Sequence, residues 1–257
     1  MEDGRFARVE QMIGREGMDR LRASHAVVVG LGAVGSYATE ALARAGVGRL
    51  RLVDFDTVHE SNINRQLLAL SSTVGRPKVE VAAARIRGIN PACDVELLPL
   101  FAHAETMDQI LAGPPDVLLD AIDGLNPKAE LISAALTRGV PVCSSMGAAL
   151  RTDPTRVRTG SLTQATGCPL ARRLRKAIRR RGLSTDDVLC VHSDEPVDAS
   201  LLREPDEGDL APARGRKRLV LASLPTLTGV FGLTLANLAL EVLLGDLFPR
   251  PGGQSHP

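Results

Sequence analysis

A glycine-rich turn lies between two regular patterns near the start of the chain. The run Ala26–Gly30 (AVVVG) is short and apolar and ends in glycine, which predicts a buried strand. The motif Gly30–Gly35 (GLGAVG) follows at once, and the Ala-rich stretch Ser36–Ala45 predicts a helix. Glycines at such a strand-to-helix turn let the backbone approach a phosphate at the helix N-terminus. The turn residues expected to contact a nucleotide are Gly30, Gly32, Ala33 and Gly35.

Asp54 is the next nucleotide-binding candidate. It ends the predicted strand Arg49–Asp54 and lies 19 residues after Gly35. A carboxylate at this position accepts hydrogen bonds from a ribose hydroxyl. The turn and the carboxylate together indicate an adenine nucleotide, although they do not separate ATP from NAD. A tight turn without a ligand is the alternative interpretation.

The first half of the chain continues to alternate between strand and helix patterns. The further predicted strands are Val95–Leu98, Val117–Leu119 and Val140–Cys143. The further predicted helices are Lys78–Gly88, Glu105–Leu111 and Lys128–Arg138. This order predicts an α/β fold, a Rossmann-like, doubly wound and mainly parallel sheet with helices on both faces.

The character of the sequence changes after residue 150. The later predicted strands are Val157–Ser161 and Lys217–Ala222, and the later predicted helices are a basic helix Leu170–Gly182 and an apolar helix Pro225–Leu244. An acidic, loop-like stretch, Asp186–Leu210, contains the strand-like run VLCVHSDEPV. The basic and acidic stretches look like one insertion between two core elements. We therefore predict a single domain with a helical arm at 1–24, a nucleotide-binding core at 25–150, an insertion crossing over at 151–216 and a closing strand and helix at 217–247.

The net charge of +1 is an average over two opposed blocks. Residues 151–181 carry ten basic residues and one acidic residue, while residues 186–209 carry nine acidic residues and one arginine. A local basic surface suits the phosphate backbone of RNA, and the scarcity of aromatic residues (2%) favours backbone docking over base stacking. A solvated helix face, neutralised by the acidic stretch, is the alternative. The candidate RNA-binding residues are Arg172, Arg173, Arg175, Lys176, Arg179 and Arg180.

Cysteine usage and apolar segments indicate a cytoplasmic protein. The four cysteines form no CxxC pair, and the N-terminus has no apolar stretch typical of a secretory signal. Cys168 and Cys190 are candidates for a reactive thiol, although an ordinary buried role is the preferred reading. The segment Leu219–Leu240 has no charged residue over 22 positions, but Pro225 and Asn237 favour a strand and a core helix over a membrane span. Peripheral membrane contact stays an alternative.

Two cations behind the glycine motif favour ATP over NAD. Arg65 lies in the polar loop Ser61–Gln66 (SNINRQ), and Lys78 stands at a predicted helix start. Enzymes that cleave a triphosphate need fixed cations to offset developing negative charge, whereas a dehydrogenase needs a hydride-transfer site. Either cation alone is more often a solvated surface charge, but together they are distinctive.

Five blocks of sequence resemble one family. GLGAVGS, LVDFDTVHESNINRQ, VGRPKVE, DAIDGLNPK and SSMGA occur in order within residues 5–150. By these blocks the chain resembles the ThiF/MoeB/HesA superfamily, the bacterial relatives of ubiquitin-activating enzymes. The resemblance implies an enzyme that binds ATP and Mg²⁺, adenylates a carboxylate and releases pyrophosphate.

The resemblance also implies roles for individual residues. Asp54 would bind the ribose, and Asp123 would hold magnesium near the reacting phosphate. Arg8 would act in the site of a second copy, which implies a homodimer; a disordered tail charge is the alternative. The residues expected at the phosphates, or in the same loops, are Asp56, Asn62, Asn64, Arg65, Gln66 and Lys78. Those expected to act in catalysis are Asp123, Arg65, Lys78 and Arg8.

The second half resembles one branch of the superfamily. CPLARRLRKAIRRRG and VLCVHSDEPV are similar to blocks of the enzymes that dehydrate threonylcarbamoyladenosine in tRNA. This implies ATP-dependent cyclisation of N6-threonylcarbamoyladenosine at tRNA position 37 through a carboxyl-adenylate. An adenylyltransferase for the Gly-Gly tail of a sulfur-carrier protein is the runner-up, although such enzymes usually carry the CxxC zinc site that is absent here. An NAD-dependent oxidoreductase, a noncatalytic nucleotide-binding protein and a cysteine desulfurase partner system stay open.

Overall fold

The computed structural model describes residues 4–203 and 220–250. Seven strands form its central sheet: β1 His25–Val29, β2 Arg49–Val53, β3 Asp94–Leu98, β4 Val117–Asp120, β5 Val142–Ser145, β6 Val157–Ser161 and β7 Val188–Ser193. Their order across the sheet is β3-β2-β1-β4-β5-β7-β6. All neighbours pair in parallel except β6, which runs antiparallel to β7. The carboxyl ends of the parallel strands therefore meet at one edge, which we call the carboxyl edge.

Helices cover both faces of this sheet. They are α1 Ala7–Ala23, α2 Gly35–Ala45, α3 Lys78–Ile89, α4 Met107–Ile110, α5 Leu125–Thr137, α6 Pro169–Arg180 and α7 Pro225–Leu244. Side chains of β1 alternate between two aliphatic cores, because successive residues of a strand point to opposite faces. Ala26 and Val28 pack with α1, α2, α3 and α7, while Val27 and Val29 pack with α4, α5 and α6. The predicted doubly wound α/β fold is confirmed.

The bounds of the predicted elements shift by a few residues. Helix α5 begins three residues before the predicted start, at Leu125, and β5 begins two residues late, at Val142. Only four residues of the predicted helix Glu105–Leu111 form α4, since a 3₁₀ turn occupies Ala104–Thr106. The strand prediction Val157–Ser161 and the helix prediction Pro225–Leu244 agree with β6 and α7.

Much of the predicted insertion belongs to the central sheet. Residues 157–193 supply β6, α6 and β7, and β7 pairs with β5 on one side and β6 on the other. The strand-like run VLCV is therefore a central strand inside a segment whose acidic flanks look like a loop. Residues 204–216 of the insertion lie outside the described residues.

The predicted closing strand does not join the central sheet. Of Lys217–Ala222, only β9 (Val220–Leu221) is a strand in the described part, and residues 217–219 lie outside it. It pairs antiparallel with β8 (Leu202–Arg203) in a separate two-stranded ribbon. The ribbon touches the core through the backbone N–H of Leu150, which donates to the carbonyl of Ala222 at 2.9 Å.

Helix α7 is long and apolar enough to cross a membrane, with a mean hydropathy of 1.8, yet most of it is buried in the fold. Its residues Phe231, Leu235 and Ala239 are buried against the sheet and α2. A Cβ on Gly232 would lie 2.4 Å from the carbonyl oxygen of Val34, so the two helices are in close backbone contact. These contacts favour the core-helix interpretation.

A buried ion pair joins β4, β5 and α5. Lys128 and Asp120 are fully buried, and Lys128 Nζ donates to Asp120 Oδ2 at 2.5 Å and to the carbonyl of Ser145 at 2.9 Å. Ser144 Oγ donates to the same carboxylate oxygen at 2.6 Å. The other carboxylate oxygen accepts the N–H of Ile122 at 3.1 Å. The pair therefore shapes the turn that leaves β4 at the carboxyl edge.

We expect Lys128→Met to destabilise the fold by about 3–5 kcal/mol, because it leaves the Asp120 carboxylate buried without its cation. The free energy of unfolding in urea measures the effect. Lys176→Met removes a lysine from the exposed side of α6 and serves as the matched control with little change. Equal stability of the two variants would contradict a structural role for the buried pair.

Candidate functional site

The glycine turn is built by contacts that leave no room for side chains. Gly30 has φ +90°, and a Cβ there would lie 2.9 Å from the carbonyl oxygen of Ala121. A Cβ on Gly35 would lie only 1.7 Å from the carbonyl oxygen of Gly30. Gly32 differs, because a Cβ there would meet only the Gln66 side chain, at 3.8 Å. The protein itself therefore demands Gly30 and Gly35, while the open space at Gly32 suits close approach of a phosphate.

Asp54 connects the turn to the loop after β2. Its Oδ2 accepts the N–H of Leu31 at 2.6 Å, and its Oδ1 accepts the N–H of Asp56 at 2.9 Å. Burial raises the pKa of this carboxyl, against the lowering effect of Lys78 and the two N–H donors. A carboxylate offers about four acceptor positions, so these bonds leave capacity for ribose hydroxyls. Asp54, the residue predicted to bind the ribose, thus also holds the glycine turn in place.

The polar loop packs against the glycine turn. Ser36, in the first turn of α2, accepts the N–H of Leu67 through Oγ at 3.2 Å. The Oε1 atom of Gln66 is buried and has no hydrogen-bond partner within residues 4–203 and 220–250. Asn62 is also buried, and its Oδ1 accepts the N–H of His59 at 3.1 Å. The Gln66 atom nearest the open space at Gly32 is Nε2, and an amide N–H there can donate to a phosphate oxygen.

Two cations lie in this region, and they differ in burial and in their hydrogen bonds. Lys78 is 4% exposed, and its Nζ donates to Asp56 Oδ2 at 3.1 Å. Its ammonium has three donors, so this contact leaves donors for a phosphate. Arg65 is half-buried, and its Nη1 donates to the carbonyl of Ser61 and to Oδ1 of Asn64, both at 2.9 Å. The structure therefore brings both predicted cations to the region around the glycine turn. Lys78 lies at the start of α3, and Arg65 lies in the loop before it.

Asp123 lies at the carboxyl edge, three residues beyond the end of β4. Its side chain is exposed, and the turn that carries it packs on Gly30 through Ala121. The described residues contain no cluster of three His, Cys, Asp or Glu side chains that would hold a metal on its own. Mg²⁺ commonly uses one carboxylate together with substrate phosphates and waters, so Asp123 beside the phosphate turn fits this ion.

Arg8 is placed away from this site. Phe6 is 5% exposed and lies against Gly46, which precedes the start of β2 at the opposite edge of the sheet. Arg8 follows two residues later in the exposed first turn of α1. The chain therefore does not bring its own Arg8 to its own carboxyl edge, and the expected role needs a second copy.

Helix α6 presents most of its cations to solvent, with one exception. Arg175 is half-buried, and its Nη1 donates to the carbonyls of Leu162, Thr163 and Ala165 at 2.8–3.1 Å. This arginine holds the loop before α6, so its inclusion among the exposed RNA-binding candidates needs correction. The candidates that do lie exposed on α6 are Arg172, Arg173, Lys176, Arg179 and Arg180.

The cysteines are all buried. Burial raises the pKa of Cys190 and of Cys143 to about 12, and that of Cys93 to about 11. A thiol with such a pKa stays protonated near neutral pH and is a poor nucleophile. Cys168 is 6% exposed at the N-cap of α6.

An aromatic cluster at the carboxyl edge was missed from the sequence. Phe55 is 52% exposed and contacts Phe101 edge-to-face, with ring centroids 5.0 Å apart. Phe101 stacks on His103, and both line a surface cleft of about 420 Å³ together with Glu105 and Glu130. The position of Phe55 directly after Asp54 is the one sequence signal that could have indicated a place near the nucleotide. The exposure of a single Phe cannot be predicted from a sequence. The cluster offers an apolar surface beside the ribose candidate.

Several known proteins are similar to this chain in sequence or in structure. The chain is 39% identical to the tRNA threonylcarbamoyladenosine dehydratase of Bacillus subtilis over 235 residues, 91% of either chain. Its structure resembles that of the Escherichia coli tRNA N6-threonylcarbamoyladenosine dehydratase in complex with ATP, with a TM-score of 0.82, 31% identity and 94% of each chain covered. It is also 40% identical to the molybdopterin-synthase adenylyltransferase of Salmonella typhimurium, over 136 residues or 53% of each chain.

The carboxyl edge brings together groups that suit a triphosphate. The glycine turn, the carboxylates of Asp54 and Asp123 and the cations Arg65 and Lys78 can together hold a triphosphate and stabilise charge on it. The family profile extends over residues 6–255, almost the whole chain. The chain belongs to the ThiF family.

Proposed function

We propose that this protein dehydrates N6-threonylcarbamoyladenosine at position 37 of tRNA in an ATP-dependent reaction. One observation carries the choice within the family. The similarity to dehydratases extends over 91–94% of the chain and includes β6, α6 and β7, whereas similarity to the molybdopterin-synthase adenylyltransferase covers 53%. The second half of the chain is therefore the part that favours a tRNA substrate.

ATP binds across the carboxyl edges of β1, β2 and β4 in this proposal. Its adenine lies against Phe55 and Phe101, and its ribose hydroxyls donate to Asp54. Its phosphates meet the turn at Gly32, where the N-terminus of α2 and the ammonium of Lys78 offset their charge. Exclusion of water between these groups strengthens each electrostatic contact. When bound, Mg²⁺ would be held by Asp123 and would neutralise charge on the phosphates.

The chemistry then needs no protein nucleophile. The threonyl carboxylate attacks the α-phosphorus, and pyrophosphate leaves. The carbamoyl group of the same substituent attacks the activated acyl carbon and loses one proton, a ring closes, and AMP leaves with the former carboxylate oxygen. The substrate thus loses the elements of one water. Since the second attack is intramolecular, its effective concentration is high once the substrate is held in position.

The tRNA docks along the exposed face of α6. Five cations lie there at helical spacing, and the remaining charges of the segment are partly neutralised by ion pairs such as Arg156 with Asp194 at 2.8 Å. Phosphate contacts of this kind position an RNA without reading its sequence. The five exposed cations are Arg172, Arg173, Lys176, Arg179 and Arg180.

A homodimer is part of the proposal because the family resemblance implies that Arg8 acts in the site of a second copy. Arg8 lies away from its own site, and it would complete that of the partner. Ile63, Leu70 and Val74 are 40–50% exposed around the polar loop, and an apolar surface of this kind beside a site suits a subunit contact. The proposal places the enzyme in the cytoplasm. Partnership with a cysteine desulfurase system and peripheral membrane contact have no support among the described contacts.

We expect Asp123→Asn to lower kcat by about 10²-fold, because the variant loses the charge that holds Mg²⁺ at the reacting phosphate. Pyrophosphate release with tRNA that carries the threonylcarbamoyl group measures turnover, and the mass of the nucleoside reports the loss of water. Asp108→Asn removes an exposed carboxylate from α4 and serves as the matched control with unchanged turnover. Stimulation by a small carrier protein but not by tRNA would instead support the adenylyltransferase alternative.

We expect Arg172→Ala combined with Arg173→Ala to weaken tRNA binding and to reduce the salt slope of log K by about 2. The measurement is tRNA affinity as a function of salt concentration. The control pair Arg22→Ala and Arg44→Ala removes two exposed arginines from α1 and α2, on the other face of the sheet. If both pairs have the same effect, the tRNA does not dock on α6.

We expect Cys168→Ala and Cys190→Ala to retain turnover within about twofold, because both thiols are buried and burial raises the pKa of Cys190 to about 12. Iodoacetamide at pH 7.5, followed by mass measurement, should leave both unmodified in the folded protein and modify both in urea. A covalent adduct with tRNA or AMP that disappears in either variant would contradict this expectation.

A further inference from the structure

Arg151 is a buried cation whose hydrogen bonds are incomplete. The residue is 2% exposed, and its Nη2 donates to the carbonyl of Gly167 at 2.9 Å. Its Nε and Nη1 have no acceptor within residues 4–203 and 220–250. Buried polar groups are nearly always satisfied, and an unpaired buried charge is costly. Two unpartnered N–H groups on a planar guanidinium form the fork that binds an oxyanion.

The acidic groups nearby are already engaged. Glu195 accepts the N–H groups of Thr152 and Asp153 at 3.0–3.1 Å and the hydroxyl of Thr152 at 2.9 Å. Asp194 pairs with Arg156 at 2.8 Å and with Arg158 at 3.4 Å. Neither carboxylate forms a salt bridge with Arg151 in the described part of the chain. Glu195 interacts electrostatically with Arg151, but it accepts no hydrogen bond from Nε or Nη1, so these two donors are left for an added anion.

The N-terminus of α6 lies next to this guanidinium. Gly167, the acceptor for Arg151, directly precedes the N-cap residue Cys168, and no side chain caps the helix. A helix N-terminus carries partial positive charge and unpaired N–H groups, so it attracts the same kind of ligand. Two independent features thus converge on one place: an uncapped helix of 12 residues and a buried arginine with free donors.

Two further observations fit a ligand-binding place. Leu150, the residue before Arg151, has φ +61°, a conformation that leucine rarely adopts and that persists mainly where function demands it. His192, near the end of β7, is 5% exposed, and its Nδ1 also lacks a partner among the described residues. Electrostatic interaction between Arg151 and His192 places the two side chains near each other. Several buried polar atoms are thus unsatisfied in this one region.

We propose that Arg151 and the N-terminus of α6 form a phosphate site, and that its ligand is a phosphodiester of the RNA beside the reacting nucleotide. This rests on the function proposed above. The site lies beyond the ends of β5 and β7, and β7 is two strand spacings, or about 10 Å, from β4, whose following turn carries Asp123 at the reacting phosphate. The threonyl carboxylate has to lie against the α-phosphate of ATP, so it is too far away to be the ligand. A neighbouring phosphodiester is the group of the same substrate that this distance suits.

Binding requires a local movement, because the guanidinium is covered in the structure. Thr166, Gly167 and Pro169 are exposed, so the cover is the surface turn at the start of α6. The exposed cations of α6 continue from this turn along the helix. The RNA strand would thus follow the exposed face of α6 and insert one phosphate at its N-terminal end.

The test uses the full chain with Arg151→Gln and the charge-matched control Arg158→Gln. Arg158 lies on β6, where it pairs in register with His192, but its side chain is exposed. Without anions, we expect Arg151→Gln to melt at or above the wild-type temperature, because it removes a buried cation with two unsatisfied donors. With saturating ATP present to fill the turn at Gly32, inorganic phosphate at constant ionic strength should raise the melting temperature of wild type and of Arg158→Gln but not of Arg151→Gln.

Turnover supplies the second readout. We expect Arg151→Gln to raise KM for the modified tRNA about tenfold, with KM for ATP and kcat at saturating tRNA close to wild type. Arg158→Gln should leave all three nearly unchanged. Arg151→Lys keeps the charge without the planar fork, and its KM for tRNA should also rise. This variant tests the proposal if Arg151→Gln does not fold.

Three results would overturn the proposal. A melting temperature lowered by Arg151→Gln, with unchanged KM for tRNA, would make Arg151 a structural cation. Loss of the phosphate response with unchanged KM for tRNA would make the ligand a small anion rather than RNA. An unchanged KM for tRNA in Arg151→Lys would exclude the fork. If wild type shows no turnover at all, the proposed function fails, while the phosphate response still decides whether the anion site exists.

Discussion

The carboxyl edge depends on the absence of side chains at two glycines. A Cβ on Gly35 would overlap the carbonyl oxygen of Gly30, and a Cβ on Gly30 would press on the backbone of Ala121. The turn after β1 is thereby held between its own helix and the turn after β4. Asp54 adds the third connection through the N–H of Leu31. Three loops from three strands are fixed relative to each other, and this brings the ribose candidate and Asp123 to one edge.

The buried pair of Lys128 and Asp120 stabilises the same edge from inside the fold. It joins α5 to β4 and β5 and leaves the second carboxylate oxygen to orient the turn at Ile122. A pair of this kind contributes less to net stability than its distances suggest, because both charges lose hydration. Its contribution lies in geometry, since the turn it holds carries Asp123.

The sequence was sufficient for the fold and for the local part of the site. Gly30, Gly35 and Asp54 have roles set by strand and turn geometry, which leaves a recognisable spacing. Arg175 and Lys128 have roles set by contacts between distant segments, and nothing in their neighbouring residues indicates them. Arg175 resembles the other arginines of α6, and only the carbonyls of residues 162–165 distinguish it. Phe55 and Phe101 escaped notice for the same reason, since their contact joins the ends of two strands.

The packing of α7 on α2 has a consequence for how the protein is made. Helix α2 opens at the glycine turn, yet its inner face is covered by residues 225–244, which follow it much later in the chain. On the ribosome, the first 150 residues contain every element of the nucleotide turn but lack the helix that buries α2. An ATP site can therefore mature only after residues 225–244 have left the ribosome. A chain that terminates before residue 225 is left with an exposed apolar helix face, which marks it for chaperones and proteases rather than for tRNA.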